Sequence, residues 1–101
     1  YRGTGNVFKD LGFQNPEEYK VKADLAIQIS KIIKSRNFSQ IQAAKIIKAS
    51  QPDISKLKSG QLTGFTIDRL VSFLILLNKN IEIRISEGKN GKIGKLGAKV
   101  I

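Results

Sequence analysis

The stretch that most constrains the fold is residues 39–57, Ser-Gln-Ile-Gln-Ala-Ala-Lys-Ile-Ile-Lys-Ala-Ser-Gln-Pro-Asp-Ile-Ser-Lys-Leu. It carries two helix starts with little chain between them. Ser39 is a good N-cap, because its hydroxyl can take an orphan backbone N–H one turn in, and Gln42 is placed to reach back, completing a capping box. Phe38 and Ala43 hold the positions of a hydrophobic staple. The first helix is expected to run to about Ile47. Ser50 caps the second. Pro52 fits only in a first turn, where its missing N–H costs little, and Gly60 is a natural stop.

Helices joined by about two residues must cross sharply. The crossing needs small and apolar side chains, which Ala43, Ala44, Ile47, Ala49, Ile54 and Leu57 supply. What remains of the second helix is Gln51, Pro52, Asp53, Ser55, Lys56 and Lys58, a polar and basic outer face. A helix that enters the DNA major groove by its N-terminal end has this need. An ordinary helical hairpin with a solvated face is the plainer alternative. The caps, the small residue at Ala44 and the charge of the chain favour DNA.

These residues resemble the helix-turn-helix of the phage-repressor-like (XRE/Cro) family. The likeness extends from Asn6-Val-Phe-Lys-Asp-Leu-Gly-Phe through Asn15-Pro-Glu-Glu and Ser50-Gln-Pro-Asp-Ile-Ser to Asp68-Arg-Leu and Ile81-Glu-Ile-Arg-Ile. That longer pattern is similar to a HigA-like antitoxin subgroup. The resemblance implies a mainly α fold, a bundle of four to five helices ending in a C-terminal β-strand. One departure stands in the turn, where Lys48 replaces the family's usual Gly and is expected to adopt a strained positive φ.

The charge is +10, and it is spread: +3 over residues 1–36, +4 over 37–80 and +3 over 81–101. Such an excess attracts polyanions without specificity. A membrane surface is a weaker partner, since no basic amphipathic helix with an aromatic face is present. No apolar run approaches the ~20 residues of a membrane span, and no signal peptide is visible. A cytoplasmic, bacterial setting is therefore expected. The chain does not begin with Met, which suggests a trimmed or partly disordered start. Without cysteine or histidine, disulfides, Ser-His-Asp and Cys-His catalysis and ordinary structural zinc sites are excluded. No carboxylates fall in a recognisable catalytic spacing. The expectation is no enzyme, no metal and no cofactor.

With 101 residues one domain is expected, resolving into a docking segment (1–15), a DNA-binding helix-turn-helix domain (16–78) and a C-terminal strand with a basic tail (79–101). Residues 1–5 read as a mobile terminus. Val7, Phe8, Leu11 and Phe13 suit a helical turn or docked loop that Gly12 breaks. Asn15-Pro-Glu-Glu starts a helix expected to reach about Arg36, with Val21, Leu25, Ile29, Ile32 and Ile33 on one apolar face. Lys31, Lys34 and Arg36 suit its C-terminal dipole, and that role is preferred to a DNA contact. Thr66 caps another helix, stapled by Phe65 and Leu70 and running to about Leu77. Its apolar girth favours a partner surface. Asn78 and Asn80 suit a left-handed end. Ile81-Glu-Ile-Arg-Ile-Ser alternates as a half-buried strand. A lone strand needs a second one, from another subunit or from residues 95–101. Residues 87–97, with Gly at 88, 91, 94 and 97, lack the helix that a phosphate-cradling loop needs and read as a flexible basic segment.

Roles follow from chemistry. Gln51 can pair with adenine N6 and N7, Lys56 with guanine O6 or N7, and Pro52 can touch a thymine methyl. Asp53 either accepts from cytosine N4 or stays off the bases as a first-turn charge. The second is preferred, because a carboxylate near phosphates is costly unless paired. The family pattern implies that Gln40 anchors a phosphate and that Gln51, Pro52 and Lys56 face bases. Ser50, Ser55, Lys58, Ser59, Gln61 and Thr63 are then placed on the DNA backbone. Phe73, Leu76, Ile81, Ile83 and Ile85 are expected at a dimer or partner interface. One short helix reads few bases, so useful specificity needs a homodimer on an inverted-repeat duplex. The resemblance further implies an antitoxin that represses its own operon and neutralises a RelE-like mRNA-cleaving toxin, through the helix over 67–77 or the segment 6–36. A stand-alone regulator without a toxin and a protein-interaction module are the alternatives.

Overall fold

Asn15-Pro16 opens the first helix of the computed structural model, which describes residues 15–88 and 96–98. The readings made for residues 1–14, and most of those for 87–101, lie outside the described residues. Four helices occur among the described residues: α1 (Asn15–Ser35), α2 (Gln40–Ile47), α3 (Gln51–Ser59) and α4 (Ile67–Leu76). Helix α1 has Glu17 and Glu18 in its first turn and Lys34 in its last, matching the dipole at both ends. Its buried face holds Val21, Ala26, Ile29, Ile32 and Ile33, with Leu25 partly buried. Lys22 is also buried, with its ammonium 3.7 Å from Glu18 one turn earlier.

All four helices end alike. A left-handed residue follows each one: Asn37 (φ 56°), Lys48 (φ 59°), Gly60 (φ 77°) and Asn78 (φ 66°). The next N–H in each case turns back to a carbonyl five residues earlier. Phe38 donates to Ile33 (3.1 Å), Ala49 to Ala44 (2.9 Å), Gln61 to Lys56 (3.0 Å) and Lys79 to Leu74 (3.0 Å). This closure satisfies carbonyls that a helix end leaves open.

Helix α1 packs against α3 and α4, and α2 packs against α3 and α4. Ile29, Ile47, Ile54, Leu62, Phe65, Leu70 and Leu77 are the largest fully buried side chains, so every helix and the 60–66 loop contribute to one core. Phe65 and Phe73 meet edge to face, with centroids 6.1 Å apart. Beyond the core, Arg36 donates from Nη1 to the Leu77 carbonyl at 2.7 Å, tying the end of α1 to the end of α4.

One expectation is not seen among the described residues, and one is corrected. Residues 81–86 form no strand; among the described residues there is none. Their alternation is real, but among the described residues no second strand lies beside them to form a ladder. Ile83 (80% exposed) and Ile85 (95% exposed) stand in solvent. Phe73, expected on a partner surface, is 3% exposed and belongs to the core of its own chain. The outer face of α4 instead carries Ile75 and Leu76, both exposed.

Candidate nucleic-acid interface

The hairpin of α2 and α3 is fixed by reciprocal caps. The Gln42 N–H donates to Ser39 Oγ (3.1 Å), and the Ser39 N–H donates to Gln42 Oε1 (2.9 Å). At the second start the Asp53 N–H donates to Ser50 Oγ, and the Ser50 N–H donates to Asp53 Oδ2, both at 3.2 Å. The second box was not legible from the Ser-x-x-Gln/Glu pattern, because a shorter carboxylate performs the same task. Lys48 adopts the left-handed conformation expected of it (φ 59°, ψ 46°). Ala43, Ala44 and Ile47 meet Ile54 and Leu57 in the core, and Ala49 packs against its margin.

Burial divides α3 into two faces. Ile54 and Leu57 are buried; Gln51, Pro52, Ser55, Lys56, Lys58 and Ser59 are exposed. Gln40, Ser50, Gln61 and Thr63 are exposed as well, so every expected DNA-contacting side chain is open to solvent. Ser50 accepts in its cap and keeps its hydroxyl proton for an outside acceptor. Ser59 Oγ donates to the Lys56 carbonyl at 3.3 Å.

Asp53 is half-buried and paired. The backbone N–H of Ser50 is the main cause holding its carboxyl below the ordinary value of 3.8; burial opposes this, and Arg69 adds to it. Arg69 Nη2 lies 2.9 Å from Asp53 Oδ2. That partner, sixteen residues along the chain, left no mark in local sequence pattern. Lys34, expected to serve the helix dipole, has a second neighbourhood. It lines a shallow cleft with Ser30, Asn37, Ser39 and Lys58, bringing cations from α1 and α3 beside the start of α2. Its position at a helix end explained it locally and hid the cleft. Of the expected interface residues, Leu76, Ile81, Ile83 and Ile85 are exposed. No helix among the described residues is long and apolar enough to cross a membrane, and no described cluster of acidic residues could hold a metal ion.

The arrangement is a capped, core-packed, basic helix pair with a polar outer face open to solvent. A family model described as a helix-turn-helix domain matches residues 7–86. A solved structure described as an XRE-family transcriptional regulator is similar at 28% identity with a TM-score of 0.75, over 87% of this chain and 98% of that one. No curated protein matches the chain.

Proposed function

The chain belongs to the helix-turn-helix domain family, and on that premise we propose that it is an XRE-type transcriptional regulator that reads an inverted-repeat operator as a homodimer. The observation that carries this reading is the division of α3. Its apolar side chains are locked in the core while Gln51, Pro52, Ser55 and Lys56 stand free of it. A recognition helix needs that rigidity, since base edges are read by fixed donors and acceptors.

Gln51 serves an adenine, Lys56 a guanine and Pro52 a thymine methyl. Gln40, Ser50, Ser55, Lys58, Ser59, Gln61 and Thr63 hold the backbone and set register. Lys34, beside Ser39 and Lys58 in one cleft, joins that set. Asp53 takes no base; it is engaged by Ser50 and Arg69. Ile81, Ile83 and Ile85 pair with the same segment of a second copy, which supplies an edge that no described strand of this chain provides.

The finer role is that of an antitoxin and autorepressor of a HigB/HigA-like pair, whose partner is an mRNA-cleaving toxin. Its support is the resemblance running from Asn6 to Ile85, together with the exposed Ile75 and Leu76 as apolar surface for a protein partner. No catalysis is assigned to this chain.

The test is selection of bound sites from random duplex DNA at about 150 mM salt. An inverted repeat with half-sites about one helical turn apart is the expected product. Recovery of composition-biased DNA alone, released by modest salt, overturns the reading. The antitoxin role is tested by co-expression with the neighbouring reading frame: a stable complex that suppresses mRNA cleavage is expected, and a neighbour that neither binds nor cleaves rules it out.

A further inference from the structure

Arg69 lies on α4, outside the helix pair, yet several contacts converge on it. Its guanidinium carbon is 5.1 Å from the centre of the Phe65 ring and 5.2 Å from that of Phe73. Both rings are buried in the core. Its backbone N–H donates to Thr66 Oγ1 at 3.1 Å. From this seat Nη2 reaches Asp53 Oδ2 at 2.9 Å, and the same oxygen accepts the Ser50 N–H at 3.2 Å. A line of contacts therefore runs from the core rings through Arg69 and Asp53 to the cap of α3, immediately before Gln51 and Pro52.

We propose that Arg69 is a positioning residue for DNA recognition: seated on two core rings, it holds Asp53, and through Asp53 it fixes the first turn of α3 in the pose from which bases are read. The inference rests on the reading of α3 as the recognition helix. It has two physical parts. The planar guanidinium is suited both to stacking on rings and to gripping a carboxylate, which a lysine ammonium does less well. The pairing also keeps the Asp53 carboxylate on the Ser50 N–H that it accepts, so that the first turn of α3 holds one pose.

The Arg69 side chain is 41% exposed, so a direct phosphate contact is the competing role. Salt dependence separates the two. Loss of a phosphate contact lowers the slope of log K against log salt by about 0.9. Loss of a positioning contact leaves the slope alone.

The experiment measures the full chain and its Arg69→Gln, Arg69→Lys, Asp53→Asn and Arg69→Gln/Asp53→Asn variants. Each is titrated with the selected duplex and with a scrambled duplex over a range of salt, at a temperature where unfolding curves show every variant folded. For Arg69→Gln the expectation is a loss of about tenfold on the selected duplex. The change on the scrambled duplex is smaller, and the slope is unchanged. Arg69→Lys recovers part of the discrimination. The Arg69→Gln penalty shrinks in the Asp53→Asn background, where no unpaired carboxylate is left behind. Equal losses on both duplexes, a slope lower by about 0.9, or no change in discrimination each overturn the proposal. A wild-type chain that fails to distinguish the duplexes overturns the premise about α3 instead.

Discussion

Lys48 shows how a single residue can fit a fold poorly and still be carried by it. It occupies a left-handed turn with φ 59°, while the equivalent positions after the other helices are Asn37, Gly60 and Asn78. Asn and Gly tolerate this conformation, but a long side chain with an ordinary Cβ is strained there. Lys48→Gly is expected to raise the unfolding free energy by about 0.5–1 kcal/mol, less whatever entropy Gly adds to the unfolded chain. Urea denaturation checks this, and a lower midpoint would mean that the lysine stem contributes packing. Asp53 gives a second test at this scale. Its carboxyl is held below 3.8 in the fold, chiefly by the Ser50 N–H. The ionised form is thus the one the fold favours. Its contribution is fully present above 3.8 and is lost as pH falls through the lowered native value. Comparing urea curves of wild type and Asp53→Asn across pH isolates the effect: the stability gap is full at neutral pH and narrows in acid. A gap independent of pH would show that geometry alone, not charge, matters at the cap.

Helix α2 has eight residues, and α3 has nine. Neither is long enough to be stable in isolation, so their helicity depends on caps and on the packing between them. Ala43 is fully buried where the two cross. Ala43→Leu is therefore expected to destabilise by about 1–3 kcal/mol, because the added methylenes have no room. A thermal melt measures it; an unchanged midpoint would show slack in the crossing. These elements were legible for a local reason. Caps, staples and left-handed ends are written within a few residues of one another, so Ser39, Ser50, Thr66, Gly60 and Asn78 announced them. What stayed hidden depends on long separations. Arg69 meets Asp53 and Arg36 meets Leu77 only after α4 has folded back on the rest. Phe73 was misplaced because an apolar helix does not say which side faces its own core. The α3 face was legible in composition, since its polar residues lie opposite Ile54 and Leu57; that Lys34 shares a cleft with Lys58 was not.

A charge of +10 attracts any duplex without regard to its sequence, so discrimination must come from geometry. On the proposed reading one α3 meets few base pairs, each giving about 1–3 kcal/mol of discrimination. A fixed pair of α3 helices doubles the bases read and adds a spacing requirement, which random DNA seldom meets. Residues 81–85 are the segment suited to fix the pair. Ile81, Ile83 and Ile85 recur at the period of one strand face, and the latter two are almost fully exposed in the single chain. Pairing with a second copy would satisfy their backbone and cover their side chains together. Replacing Ile83 and Ile85 by Ser leaves the charge unchanged, so it does not alter nonspecific attraction. Since neither side chain belongs to the core, helical circular dichroism and the melting temperature extrapolated to low concentration should hold. Sedimentation should shift from dimer to monomer. Affinity for an inverted repeat should fall steeply toward that for a single half-site, while affinity for scrambled duplex stays nearly level. A double variant that remains dimeric would place the contact elsewhere, with the exposed α4 residues Ile75 and Leu76 the next to change. A wild-type chain that sediments as a monomer, yet still prefers the inverted repeat, would show that the DNA itself assembles the pair.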